Sequence, residues 1–176
     1  SDSKPVENHP YLDRKKVNAH GARVTADGAL VIPLRNADGA IRTLQFIYPD
    51  GTKRFLRGGE KKGNFSLVGE VKGRIIIVEG FATGASVHEA TGYAVAVAFG
   101  AESLAPNARN IRTKYPEAKI VFAADDDLNE VGYTKAKAAA DEVDGAVVLP
   151  IFTGAREGLT DFNDLAVAEG LDVVRA

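Results

Sequence analysis

Three carboxylates stand where two apolar runs of the chain end. Glu79 closes RIIIVEG (74–80), and Asp125 and Asp127 follow AKIVFAA (118–124) in the run Asp125-Asp126-Asp127. A carboxylate ending so apolar a strand is poorly solvated unless it sits at the edge of the fold. Crowded carboxylates also repel one another and hold their protons more tightly unless a cation neutralises them. The chain has no cysteine, so a cation here would be held by oxygen, which favours a hard ion, Mg²⁺ or Mn²⁺. In an Asp-x-Asp tail that continues a strand, alternate side chains point the same way. Asp125 and Asp127 can then share one ion while Asp126 points away. An isolated Asp-x-Asp often does no more than cap a helix or face solvent. Two acidic strand ends at matching positions shift the balance to metal.

The surrounding pattern says how these ends come together. RIIIV, YAVAVAFG (93–100), AKIVFAA and GAVVLP (145–150) are short apolar runs, each read as a strand, the first of them buried on both faces. Between and after them lie helical patterns at 82–91, 105–115, 131–143 and 161–169. Four strand–helix alternations at short spacing predict an α/β fold, a parallel sheet of about four strands with helices on both faces. Ligands of such sheets bind at the carboxyl ends of the strands, where the acids lie.

Residues 28–70 carry a different pattern. ALVIPL (29–34), IRTLQFIY (41–48) and TKRFL (52–56) are separated by Asp38-Gly39 and Asp50-Gly51, dipeptides that tolerate the positive φ of tight hairpin turns. A Gly- and Lys-bearing loop (58–63) follows. This region reads as a small antiparallel β lobe preceding the α/β domain at 71–176. Residues 1–27 read as a polar arm with one short helix near 10–17.

Charge divides along the same line. Residues 1–70 hold 12 Lys+Arg against 8 Asp+Glu, and the rest 10 against 16. A basic lobe beside an acidic domain suits a protein that grips phosphates with one and metal with the other, although a solvated surface has the same look. No stretch of about eighteen apolar residues suggests a membrane span, and there is no secretory-type leader. Absent cysteine fits the cytoplasm. The lack of any methionine, the first position included, suggests a piece of a longer protein.

IIIVEG (75–80), IVFAADDD (120–127) and TDFNDL (160–165), taken together, resemble the Toprim domain of primases, topoisomerases and some nucleases. LVIPLRNADGAIRTLQFIYPDGTKRFLRGG (30–59) and HPYLDRKKV (9–17) resemble the basic lobe and lead-in of phage- and plasmid-type primases, including those of conjugative plasmids. Two positions depart from the bacterial replicative primases. Their glutamate motif continues Glu-Gly-Tyr-x-Asp where this chain has Glu79-Gly80-Phe81-Ala82-Thr83, and their last acidic motif begins Lys-Asp where this chain has Thr160-Asp161.

The resemblance implies a Mg²⁺-dependent (or Mn²⁺-dependent) DNA-directed nucleotidyltransferase, a primase catalytic core that makes short primers from NTPs on single-stranded DNA. A fragment of this size could be inactive alone. Glu79 would be the catalytic acid/base or a metal ligand. Asp125 and Asp127 would bind metal with a downstream acid, Asp161 or, as second choice, Asp164. Lys53 and Arg54, then Arg57, Lys61 and Lys62, would hold nucleotide or DNA phosphates; a solvated hairpin edge accounts for Lys61 and Lys62 equally well. Partners would be the template, NTPs and a helicase or other replication proteins, with no membrane. The alternatives are a Toprim nuclease and a non-catalytic Toprim module that binds nucleic acid or protein.

Overall fold

The computed structural model describes residues 3–127, 131–154 and 157–175. Its first sheet is antiparallel, with strands β1 (Lys4–Pro5), β2 (Arg23–Val24), β3 (Leu30–Arg35), β4 (Ile41–Ile47) and β5 (Lys53–Phe55) in that order. Both anticipated Asp-Gly hairpins form: Gly39 and Gly51 take φ of 90° and 94°, a region costly for residues with a Cβ. Pro33 is tolerated within β3 because it falls between the last β2 pair, at Val31, and the bridge from Arg35 to Phe65. No ladder partner there needs the N–H that proline lacks.

The second sheet contains β6 (Ser66–Val68), β7 (Arg74–Val78), β8 (Ala94–Val97), β9 (Lys119–Ala123) and β10 (Ala146–Val148), in the order β10-β9-β7-β8-β6. Strands β7 to β10 are the four expected parallel strands. The fifth, β6, pairs antiparallel with β8. Sequence grouped residues 66–68 with the β lobe, but their backbone completes the α/β sheet instead. A three-residue strand carries too little pattern to say which edge it will join.

Alternation along β7 divides the core. Ile76 and Val78 face α2 (Phe81–Thr91) and α5 (Phe162–Glu169), and this cluster runs on into Leu30, Ile32, Leu34 and Ile47 of the first sheet. Ile75 and Ile77 face α3 (Leu104–Lys114) and α4 (Val131–Glu142) through Leu104, Ile111, Ala136 and Ala140. Helices therefore cover both faces. Each fully buried Ile contributes about 1.5–3 kcal/mol, and the shared cluster welds lobe and α/β sheet together.

The first 27 residues are more than an arm. Tyr11 and Leu12 of α1 (Pro10–Lys15) are buried in the shared core. His9 starts the helix: its Nδ1 accepts from the Tyr11 N–H at 3.2 Å, and its Nε2 bonds the Gly28 carbonyl at 2.9 Å. A last short helix, α6 (Leu171–Arg175), was not anticipated and packs on α2. Among the described residues, no helix is long and apolar enough to cross a membrane.

Candidate nucleotidyl-transfer site

Adjacent parallel strands bring the acids together. Strands β7 and β9 run side by side from Arg74↔Lys119 to Ile77↔Phe122, so the residues just beyond their ends, Glu79 and Asp125, emerge at one edge. The Asp126 N–H donates to the Thr160 carbonyl at 2.8 Å. This bond brings the segment bearing Asp161 against the Asp-x-Asp run, although Asp161 lies 34 positions after Asp127 in the chain. Asp161 caps α5 and accepts from the Asp164 N–H at 2.8 Å and from the Thr83 hydroxyl at 3.1 Å. Asp164 answers as the other half of the capping box, accepting from the Thr160 and Asp161 N–H groups, and pairs with Lys15 at 3.4 Å.

These groups border a cleft of about 370 Å³ lying between the two sheets. Glu79, Asp125 and Asp161 line its acidic side; Tyr11, Lys15, Gln45, Lys53 and Phe55 line the side formed by α1 and the β lobe. Asp127 and Asp164 lie outside the lining, Asp164 occupied by its cap and by Lys15. Between the two sides opens the N-terminus of α2, where Gly80 offers no side-chain cap and residues 80–83 line the cleft. The start of a helix favours an anion.

Electrostatics mark the acids as crowded. Burial pushes the Asp125 carboxyl up to about 7, with help from the charges of Glu79, Asp161, Asp127 and Asp164. Burial also raises Glu79, helped by Glu102 and Asp127 and opposed by Lys135. Among the described residues, Oδ1 of Asp125 and Oδ1 of Asp127 are buried with no hydrogen-bond partner, which is costly for a carboxylate. A divalent cation would relieve both the repulsion and the unpartnered oxygens, and an all-oxygen donor set suits a hard ion. Among the described residues, no three acidic or histidine side chains already converge on one ligating point. Mg²⁺ does not require that, because it commonly takes one or two carboxylates and completes its shell with waters and substrate phosphates.

The basic residues singled out in the sequence divide. Lys53 reaches the cleft, its ammonium 5.8 Å from the centre of the Tyr11 ring. Enclosure by protein pushes its pKa down, as does Lys15, while Asp161 and Asp125 oppose. Arg54 is on the opposite side of β5, over Tyr48 at 5.7 Å, as strand alternation requires. Lys61 stands beyond the lining, ion-paired with Glu102 and 5.2 Å from the Phe55 ring. Arg57 and Lys62 are exposed and do not line the cleft.

Sequence reasoning missed several residues here. Tyr11 and Lys15 arrive from α1, and only their place in HPYLDRKKV pointed to them. Burial pushes the Tyr11 hydroxyl up to about 12, with the Asp161 charge adding to it. Thr83, in the first turn of α2, donates its hydroxyl to Asp161. Gly132 of α4 packs so closely that a Cβ there would lie 3.2 Å from the Asp125 carbonyl and 3.3 Å from Glu79 Oε1. Phe99 lines the cleft at φ 61°, a conformation bulky side chains avoid.

Known proteins resemble this chain in sequence and in fold. A DNA primase TraC of Escherichia coli is 36% identical over 170 residues, covering 88% of this chain, which spans 12% of that protein's length. The crystal structure of the primase fragment of the Bacteriophage T7 primase-helicase protein matches with a TM-score of 0.68 at 17% identity, over 96% of this chain and 77% of that one. A DnaG primase catalytic domain bound to ssDNA matches with a TM-score of 0.54 at 15% identity, over 92% of this chain and 59% of that one. At such identities the two structures speak for the fold alone. The sequence pattern of the Toprim domain matches residues 74–172, from the start of β7 into α6, and the chain belongs to the Toprim domain family.

Proposed function

We propose that the chain is the Toprim catalytic core of a DNA primase, joining nucleotides into short primers on a single-stranded DNA template in the cytoplasm. The observation that carries this reading is the buried carboxylate oxygen of Asp125, without a partner among the described residues, in a cleft whose opposite wall bears lysines; a second such oxygen belongs to Asp127, outside the lining. Similarity to TraC, named a DNA primase, supports the reaction class, and the ssDNA-bound DnaG domain supports the template.

The reaction joins a 3′-hydroxyl to the α-phosphate of an incoming NTP and releases pyrophosphate. Asp125, Asp127 and Asp161 would hold Mg²⁺ (or Mn²⁺), which when bound neutralises charge on the attacking and leaving oxygens. Glu79 would take the hydroxyl proton, a task helped by a carboxyl raised above the ordinary range. Lys53 and Lys15, on the opposite wall, would hold phosphate oxygens by charge-assisted hydrogen bonds. Thr83 keeps the Asp161 carboxylate oriented. Lys61 at the rim, and Arg54, Arg57 and Lys62 farther out on the lobe, would meet the template backbone, where each contact adds salt-sensitive affinity.

The test supplies single-stranded template, labelled NTPs and Mg²⁺. Short oligonucleotides made by the wild type and lost in Asp125→Ala are the expected result. Strand cleavage without synthesis would point to a nuclease, and failure to bind a divalent cation would leave a binding module. Lys53→Ala should weaken nucleotide or template binding while the fold melts as before; equal affinities at matched stability would remove Lys53 from the site.

A further inference from the structure

We propose that Phe55 is a nucleobase-stacking platform in the mouth of the cleft. This deepens the nucleotidyl-transfer reading and rests on it for the identity of the ligand.

Strand β5 is three residues long and forms an edge of the first sheet. Alternation aims Lys53 and Phe55 at the cleft, which both line, and Arg54 toward Tyr48. Phe55 belongs to neither hydrophobic core and keeps 37% of its surface in water. A large aromatic that packs into no core, at the entrance of a phosphate-binding cleft, leaves apolar surface for a ligand to cover. Its position is nonetheless fixed. The Phe99 ring meets it edge-to-face, centroids 6.2 Å apart and planes at 89°. Phe99 is itself buried in the shared core and is held at a φ of 61°; such strain persists where surrounding structure imposes it.

The neighbours of Phe55 fit a nucleotide. Lys53 and Phe55 are two residues apart on one strand face, about 7 Å, within the span of a single nucleotide from phosphate to base. Lys61 stands 5.2 Å from the ring centre, tethered by Glu102. A cation next to an exposed ring, in a cleft with a second cation, is the pairing by which proteins hold nucleotides without reading their sequence: charge for the backbone, a π-face for the base. The base could belong to a strand or to a free nucleoside triphosphate, and the chemistry is the same.

The chain has no tryptophan, so Phe55→Trp introduces a single tryptophan, excited selectively over the tyrosines, at the point of contact. Binding is read by fluorescence anisotropy without divalent cation or turnover. The ligands are an oligothymidylate and an abasic strand of equal length and charge, with a nucleoside triphosphate and inorganic triphosphate as competitors. Phe55→Ala and Phe55→Leu should each lose about tenfold in affinity for a base-bearing ligand and nothing for its base-free counterpart. Phe55→Trp should keep the affinity and be quenched only by ligands carrying a base. Selective loss on the strand assigns the base to the strand, and selective loss on the triphosphate assigns it to the nucleotide. Equal losses with and without bases, or no loss with either variant, would overturn the proposal. Leucine keeps apolar bulk at the position, so a folding defect confined to alanine does not decide the matter. Base-selective loss in a chain that cuts strands and makes no primer would sustain the platform and sink the polymerising reading.

Discussion

Asp125→Asn should make the cation-free protein more stable at neutral and alkaline pH while removing its activity. The Asp125 carboxyl moves from 3.8 to about 7 on folding, a difference worth about 4 kcal/mol between its two protonation states. Part of the residue remains in contact with water, and screening reduces that figure to about 2 kcal/mol. The sign follows from proton linkage. Between pH 3.8 and 7 the folded state binds more protons than the unfolded state, so this group's contribution to stability falls as pH rises through that window. Above pH 7 the folded protein bears the full cost of a buried carboxylate among like charges. Asparagine fills the same space without that charge. The difference in unfolding free energy between variant and wild type should therefore be close to zero at pH 4 and grow to about 2 kcal/mol by pH 8. In a domain of this size that is a rise of roughly 4–8 °C in Tm. Paired melts in chelator across pH 4–8 measure it, because every other titrating group is common to both proteins and cancels. Adding Mg²⁺ at pH 8 should stabilise the wild type and leave the variant where it was. A pH-independent difference, or a variant that melts below wild type at pH 8, would refute the account of Asp125 as a carboxylate strained by its neighbours.

Other substitutions probe the parts that hold the acids. Gly132→Ala adds helix propensity worth up to about 1 kcal/mol but puts a Cβ 3.2–3.3 Å from Asp125 and Glu79; calorimetry should find weaker divalent-cation binding in a protein that still folds. Thr83→Val removes the hydroxyl donor to Asp161 and should cost about 1–2 kcal/mol in denaturant melts, with a loss of activity exceeding the loss of folded protein. His9→Ala deletes the cap of α1 and the tie to Gly28; a drop of about 1–2 kcal/mol should come with weaker nucleotide binding, because α1 carries Tyr11 and Lys15 into the cleft.

What could be read in advance depended on how far apart the cooperating residues lie in the chain. The runs RIIIV and AKIVFAA are apolar on both faces, and only a strand covered on both sides by helices needs that; the parallel sheet and its acidic edge followed directly. Asp161 is a different case. Nothing local tells whether it is only the N-cap of α5 or also a wall of the cleft, and it proves to be both, because a backbone bond from Asp126 to Thr160 joins two distant segments. Lys15 faces Asp164 across a separation of 149 residues, a contact that no periodicity could announce. The two-residue strands β1 and β2 and the pairing of β6 with β8 escaped for a related reason, since they hold their places through partners rather than through pattern. Arg54 was within reach of sequence reasoning. Lys53 and Arg54 are neighbours in the chain and were ranked together as phosphate-binding candidates, yet a period of two sends neighbours to opposite faces. Once Lys53 is assigned to the cleft, the residue that shares its side of β5 is Phe55, which is how a charge-based reading of this lobe passes over an aromatic one.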